Sequence, residues 1–323
     1  MLINYEFLIC IYGFFALSLQ RKLNYVCRGI SYIYTNIRTL FRLNVMIEEH
    51  LKMGVFDIFK RRKSDDDAKT IYYQGYVDKF EDLITMDDDS FKILDGDIPI
   101  MISAAHAVEQ TRYGKIKYSE PDAGVIALAL HDELGCPAII KTTNLNDDAN
   151  FDETHPYREF LKQYVRNHGI LCVLDLHQLA PTRKIAIDIG TGFGWNTAGS
   201  TAMKNAVIDC FTNHFDRNLV GVDHIFAASM PYTVSADVSK SCNIPCLQIE
   251  MNSRLFIKDY DVNRDSAKYD YAMSDEGQYR RIDYDPVRAY DALVDVVNVL
   301  AANMTPTIAH EAVDSVHLPS END

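Results

Sequence analysis

Short apolar runs alternate along this chain with longer stretches of helical spacing, and three of the runs stop on a titratable side chain. Ile102–Ala105 leads into His106, Leu171–Leu176 into His177, and Pro245–Ile249 into Glu250. Short apolar runs bounded by polar residues read as buried strands. Asp122–Gly135 reads as a helix closed by its glycine, and Pro156–Arg166 as an amphipathic helix opened by proline. Ser200–Phe215 is a further helix, and Pro286–Met304 a C-terminal one with apolar Ala289, Leu293, Val296, Val297 and Leu300. Cys136–Lys141, Lys184–Ile189 and Asp223–Ala228 read as strands, Gly114–Pro121 as a loop, and residues 71–97 as an edge hairpin with a helix. Thr142–Thr154, rich in Asn and Asp, is a long polar loop of the kind that carries function over a rigid scaffold. The alternation predicts one α/β domain over residues 71–304, a three-layer mixed central sheet with helices on both faces. Residues 305–323 read as a flexible polar tail.

Residues 1–63 break the pattern. Phe7–Leu19 is apolar for about 13 residues, short of the ~20 a spanning helix needs. Cations follow this core instead of preceding it, the reverse of a secretory signal. That order suits an inverted anchor or a peripheral amphipathic segment. The third reading starts translation at Met53, whose following residues look like the beginning of a cytosolic protein. The expectation is therefore a cytoplasmic protein, with a membrane partner only if residues 1–52 are translated and anchor it. A charged linker, Ser64–Asp67, runs on to about residue 70. The extension holds ten Lys/Arg and four Asp/Glu, leaving a net −20 for the remainder out of −14 overall. So acidic a body excludes nucleic acid as its partner. Seven cysteines without a Cys-x-x-Cys pair fit a reducing compartment.

The strand ends supply the candidate chemistry. His106, Glu109 and His177 offer two imidazoles and a carboxylate, a donor set that zinc takes while keeping one position open for water. Metal-bound water loses a proton near neutral pH and attacks a polarised carbonyl. Glu250 is the candidate general base, passing that proton to a leaving amine. Asp175, two residues before His177 and so on the same strand face, is placed to orient its imidazole. Gly190-Thr-Gly192-Phe-Gly194 is not a dinucleotide fingerprint, because Trp195 stands where the third glycine belongs. No Gly-x-Ser-x-Gly elbow is present either.

The combination His106-Ala-Val-Glu109, Asp175-Leu-His177 and Gln248-Ile-Glu250-Met-Asn252 resembles the N-formylglutamate amidohydrolase family, itself similar in fold to zinc carboxypeptidases. Asp122, Asp148-Ala-Asn150, Pro156-Tyr-Arg158 and Ala186-Ile-Asp188-Ile-Gly190-Thr-Gly192 share in the likeness, which covers roughly residues 98–260. The resemblance implies a zinc-dependent amidohydrolase acting on an N-acyl amino acid or small peptide. A carboxypeptidase, a peptidoglycan-type amidase and a non-catalytic binding or scaffold domain of the same fold remain the alternatives. Two departures stand out. Many relatives read Asp-x-Asn-Arg where Asn150 is followed here by Phe151, and Pro-His-x-Gly where Ala105-His106-Ala107-Val108 stands. Asn150 and the cations Arg158, Arg183 and Arg112 are the candidates for holding substrate, since arginine grips a carboxylate with two hydrogen bonds.

Overall fold

The computed structural model describes residues 73–85, 89–258 and 282–303. The extension 1–63, with its alternative start and anchor, and the tail 305–323 lie outside the described residues. The strands are β1 (Phe91–Leu94), β2 (Ile100–Ala104), β3 (Gln110–Arg112), β4 (Lys115–Lys117), β5 (Ala138–Lys141), β6 (Cys172–Leu179), β7 (Ile187–Gly190), β8 (Val220–Val222) and β9 (Cys246–Asn252). The helices are α1 (73–85), α2 (Pro121–Leu134), α3 (Pro156–His168), α4 (Thr201–His214), α5 (Val234–Cys242) and α6 (Pro286–Asn303). Seven strands form a mixed sheet in the order β1-β5-β2-β6-β9-β7-β8, and β3 and β4 form a separate hairpin. The central β5-β2-β6-β9 pairings are parallel, while β1 and β7 run against β5 and β9. Among the described residues no helix is long and apolar enough to cross a membrane.

Strand alternation gives the two sheet faces different jobs. Ile100, Ile102, Ala104, Leu174, Leu176, Leu247 and Ile249 join Phe80, Ile126, Phe211 and Val296 in one large core, so α1, α2, α4 and α6 cover that face. Met101, Val173 and Cys246 point the other way, into a smaller core with Tyr157 and Leu161 of α3 and Val234 and Val238 of α5. Each apolar side chain fully buried in this way stabilises the fold by ~1.5–3 kcal/mol. Further along the strands this second face turns polar. Ser103, Asp175, Gln248 and Gly190 stand abreast across four strands, and His177, Glu250 and Asp188 form the next row. All these side chains are buried. At Gly190 a Cβ would come within 2.6 Å of the Phe226 carbonyl oxygen, so only glycine lets the 223–233 loop lie close beside Gln248.

Three local expectations change. The strand expected at Asp223–Ala228 ends earlier, at Val222. The Asp188 carboxylate accepts the amides of His224, Ile225 and Phe226 at 3.2, 2.6 and 3.0 Å, which takes those donors out of any ladder. The loop expected over Gly114–Pro121 contains β4, and the hairpin turns on Tyr113 and Gly114, at φ 53° and 72°. Among the described residues of 71–97 stand α1 and one edge strand paired with β5, not a hairpin. Helix α5 gave little sequence signal. It is short, and its N-cap Thr233, which accepts from the Ala236 amide, was the one local cue.

Arg158 ties the second layer together. It is 1% exposed and donates to the carbonyls of Ala149, Asp152 and Glu153 at 2.6, 2.7 and 2.9 Å and to Asp237 Oδ2 at 3.0 Å. Lys162 Nζ also reaches Asp237, at 3.1 Å. Burial alone would raise the Asp237 carboxyl, but Lys162 and Arg158 hold it below its ordinary value of 3.8. A depressed carboxyl contributes stability that is present above pH ~3.8 and lost as pH falls through its lower folded value. We expect Asp237→Asn to lower stability at pH 7 by about 1–3 kcal/mol. In urea titrations the gap to the parent protein should narrow below pH 4. A gap independent of pH would show that the carboxylate charge is not what matters.

Candidate functional site

His106 lies just past the end of β2, and His177 lies within β6, with its neighbour Glu250 on β9. The structure brings the two imidazoles together, with ring centroids 4.7 Å apart and planes nearly perpendicular. The acid that joins them is Glu120, not Glu109. Glu120 Oε1 lies 3.0 Å from His106 Nδ1, and Oε2 lies 2.8 Å from His177 Nδ1. One atom of each of His106, Glu120 and His177 falls within 4.8 Å of the others, so these three form a group that could hold a metal ion.

The correction at Glu109 has a local cause. After His106 the chain makes a turn rather than a helix, so a spacing of three does not put two side chains on one face. The Gln110 side chain folds inward and donates to the carbonyls of His106 and Val108, leaving Glu109 exposed. The chain then runs out along the β3–β4 hairpin and returns, where the Glu120 amide donates to the His106 carbonyl at 2.8 Å. Pro121 opens α2 directly afterwards, so Glu120 stands at its N-cap.

Each imidazole is backed on its far nitrogen by a buried acid. Asp148 Oδ1 is 2.8 Å from His106 Nε2, and Asp175 Oδ2 is 3.3 Å from His177 Nε2. Asp175 is itself fixed by Ser103 Oγ at 2.7 Å, and Ser103 by the Tyr157 hydroxyl at 3.0 Å. Asp148 was absent from the sequence-derived site, although the Asp148-Ala-Asn150 stretch pointed at its loop. Histidines that bind metal almost always give their second nitrogen to such a partner, which fixes tautomer and orientation.

Opposite charges pair across the two rings. Burial alone would lower both imidazoles, but Glu120 and Asp148 raise His106, while Asp175 and Glu120 hold His177 well above 6.5. Burial also works against ionised Glu120 and Asp148, yet the two imidazoles at Glu120, and His106 with Arg112 at Asp148, keep both well below the usual carboxylate range. Glu250 differs. It is 5% exposed and its Oε1 accepts one hydrogen bond, from Gln248 Nε2 at 2.8 Å. Burial pushes it up to about 8 against the pull of His177 and His106, with Glu120 and Asp188 repelling. Two nitrogens and a carboxylate, two of them oriented from behind, fit a divalent ion that favours mixed N and O ligands.

The four proposed substrate contacts separate by their partners. Arg158 is consumed by the interior, as described. Arg112 makes a two-pronged grip on Asp148 Oδ2, at 2.9 and 2.7 Å, and lies over the Phe151 ring at 4.0 Å. Asn150 bonds the Val234 amide through Oδ1 at 2.7 Å and has Nδ2 3.4 Å from His177 Nε2. Arg183 alone of the three arginines keeps a buried donor, Nε, without a partner.

No protein-family model and no curated protein matches the sequence. Solved structures do. An N-formylglutamate amidohydrolase from Ralstonia eutropha JMP134 is 13% identical at a TM-score of 0.42, over 66% of this chain and 98% of that one. A bacteriophage poly-gamma-glutamate hydrolase is 11% identical at 0.41, over 68% of this chain and 93% of that one. A metallo-carboxypeptidase from Pseudomonas aeruginosa is 12% identical at 0.39, over 68% and 61%. Likeness at this level is a likeness of chain course and carries no chemistry.

If His106, Glu120 and His177 hold a divalent ion such as zinc, Glu120→Gln should weaken its binding by about 100-fold or more, and Asp148→Asn by the roughly 10–100-fold typical of an outer partner. Glu109→Gln should bind zinc like the parent. Competition with a chromogenic chelator measures all three. Equal effects at Glu109 and Glu120 would return the third ligand to the turn after His106.

Proposed function

We propose that this chain is a zinc-dependent amidohydrolase that cleaves the linear amide of an N-acyl amino acid or small peptide. The observation that carries the reading is the pairing of two unlike acid environments across β6 and β9. On one side His106, Glu120 and His177 would hold the ion; on the other stands Glu250, buried with a single hydrogen bond. A bound zinc ion would supply a polarised carbonyl and a more acidic water. Glu250 accepts the proton of the attacking water and delivers it to the leaving nitrogen, a role suited to a carboxyl whose surroundings move it toward neutral pH. Asp148 and Asp175 keep both imidazoles turned with Nδ1 toward Glu120. Burial of the whole row keeps bulk water from the reacting groups.

Substrate hold follows from what the interior leaves unpaired. Thr182 Oγ1, Arg183 Nε and Gln248 Oε1 are the buried side-chain polar atoms without partners among the described residues. The Asn252 side-chain amide donates to the Arg183 carbonyl at 3.1 Å, so Arg183 stands beside the end of β9. Buried groups without partners are rare enough to need a reason, and a substrate carboxylate on Arg183 provides one.

Glu250→Gln should keep zinc near parent content while turnover of an N-acyl amino acid falls by a factor of ~100 or more. His177→Ala should lose metal and turnover together. A Glu250→Gln protein that stays active removes the mechanism. One that loses rate only in step with its folded fraction makes Glu250 a structural acid. Separately, Arg183→Met should raise KM by about 10- to 100-fold with kcat little changed, because a lost charged hydrogen bond is worth ~1.5–3 kcal/mol. An unchanged KM would clear Arg183 of carboxylate binding.

A further inference from the structure

We infer that the aromatic cluster beside the candidate centre is the subsite for the substrate's acyl group, and that this group is a neutral aryl one. The inference rests on the amidohydrolase reading above. Phe151 directly follows Asn150, the residue whose amide nitrogen reaches His177. The Tyr113 ring lies 5.1 Å from that of Phe151 at 79°, and the Tyr232 ring 5.3 Å away at 66°. Edge-to-face sets of this kind are the arrangement aromatic rings prefer, and they extend naturally to one more ring.

The cluster is not sealed by the fold. Tyr113 is 87% exposed and Met230, just before Tyr232, is 50% exposed. Apolar surface left open at the edge of a polar site marks a place where something binds. The hairpin that carries Tyr113 is rooted at the centre itself. Gln110 Nε2 donates to the His106 carbonyl at 3.0 Å, and the Thr111 amide to the Asp147 carbonyl at 3.0 Å. At the base of the same hairpin, Lys117 pairs with Gln110. The tyrosine at its tip leans on the Phe151 ring, which lies under the Arg112 that grips Asp148.

Charge fixes the kind of occupant. Arg112 covers Phe151 and turns two of its donors to Asp148, so an anionic acyl group would find the Asp148 carboxylate close by. The direction of the substrate follows from strand order. Phe151 lies on the loop leaving β5, on one side of β2 and β6. Arg183 lies on the segment entering β7, on the other side. A substrate amide seated by His106 and His177 then points its carboxylate to Arg183 and its acyl group to Phe151.

The test uses the zinc-loaded full chain with N-benzoylglutamate and N-acetylglutamate. We expect kcat/KM for the benzoyl compound to exceed that for the acetyl one by about 10-fold or more, the scale of a filled apolar subsite. In Phe151→Ala that preference should fall by about 10-fold, chiefly through KM. Calorimetry of N-benzoylglutamate binding to Glu250→Gln protein, with and without Phe151→Ala, should show a parallel loss without any turnover. Tyr113→Ala, at an exposed position, replaces Phe151→Ala if the latter does not fold. Turnover of both compounds at equal efficiency overturns the aryl subsite and leaves the hydrolase reading intact. Turnover of neither, with benzoyl binding that depends on Phe151, overturns the hydrolase reading and keeps the subsite. Benzoyl binding indifferent to Phe151 and Tyr113 overturns the inference.

Discussion

The carboxylate of Glu120, bridging His106 and His177, is the contact on which the rest of this structure depends. Two imidazoles and several acids are buried on one face of a sheet, where an unpaired charge would cost several kcal/mol. Each member is tolerable because the next one compensates it. Glu120 faces both Nδ1 atoms, Asp148 and Asp175 face both Nε2 atoms, and Arg112 neutralises the far side of Asp148. Remove Glu120 and the two raised imidazoles repel one another across 4.7 Å. Remove the imidazoles and Glu120 and Asp175 are left without countercharge.

Such a cluster survives only because the opposite sheet face does none of this work. Ile100, Ile102, Leu174, Leu176, Leu247 and Ile249 alternate with the polar row along the same strands and are fully buried under four helices. That layer supplies the burial energy and lets the second face change from apolar to ionic within a few residues. Two β6 neighbours, Leu174 and Asp175, thus belong to different economies of the fold although both are 0% exposed.

Much of this was legible in the sequence, because apolar alternation is local. His106, His177 and Glu250 stand at or near the ends of runs that only a buried strand explains, and those three are gathered in one region. Asp175 shares the His177 face for the same reason of period two. Glu109 misled because a gap of three carries meaning on a helix, and the chain there turns into a hairpin instead. Glu120 left no periodic trace, since its place is set by a backbone hydrogen bond to a residue 14 positions earlier. Its one local mark was an acid set immediately before a helix-opening proline. Asp223–Ala228 looked like a strand because Ile225–Ala228 is a short apolar run. What ends the ladder is Asp188, a side chain 36 to 38 residues away in sequence.

The arginines show why an available cation is harder to read than a strand-end histidine. A histidine at a strand end advertises itself by position, but the availability of an arginine depends on partners that the local sequence does not contain. Arg112 is taken by an acid 36 residues on and Arg158 by one 79 residues on, so neither offers its full fork to a substrate. Arg183, with nothing in its neighbourhood to distinguish it from the others, is the one left with a buried open donor. The same logic applies to Phe151. As a residue in a polar loop it looks like a lost arginine, but with Arg112 over its face and a tyrosine at each side it is part of a built surface. On the proposed amidohydrolase reading, specificity would be set by which groups the interior has already used, and the open ones, an arginine donor on one flank and aromatic rings on the other, would take the two ends of a single small substrate.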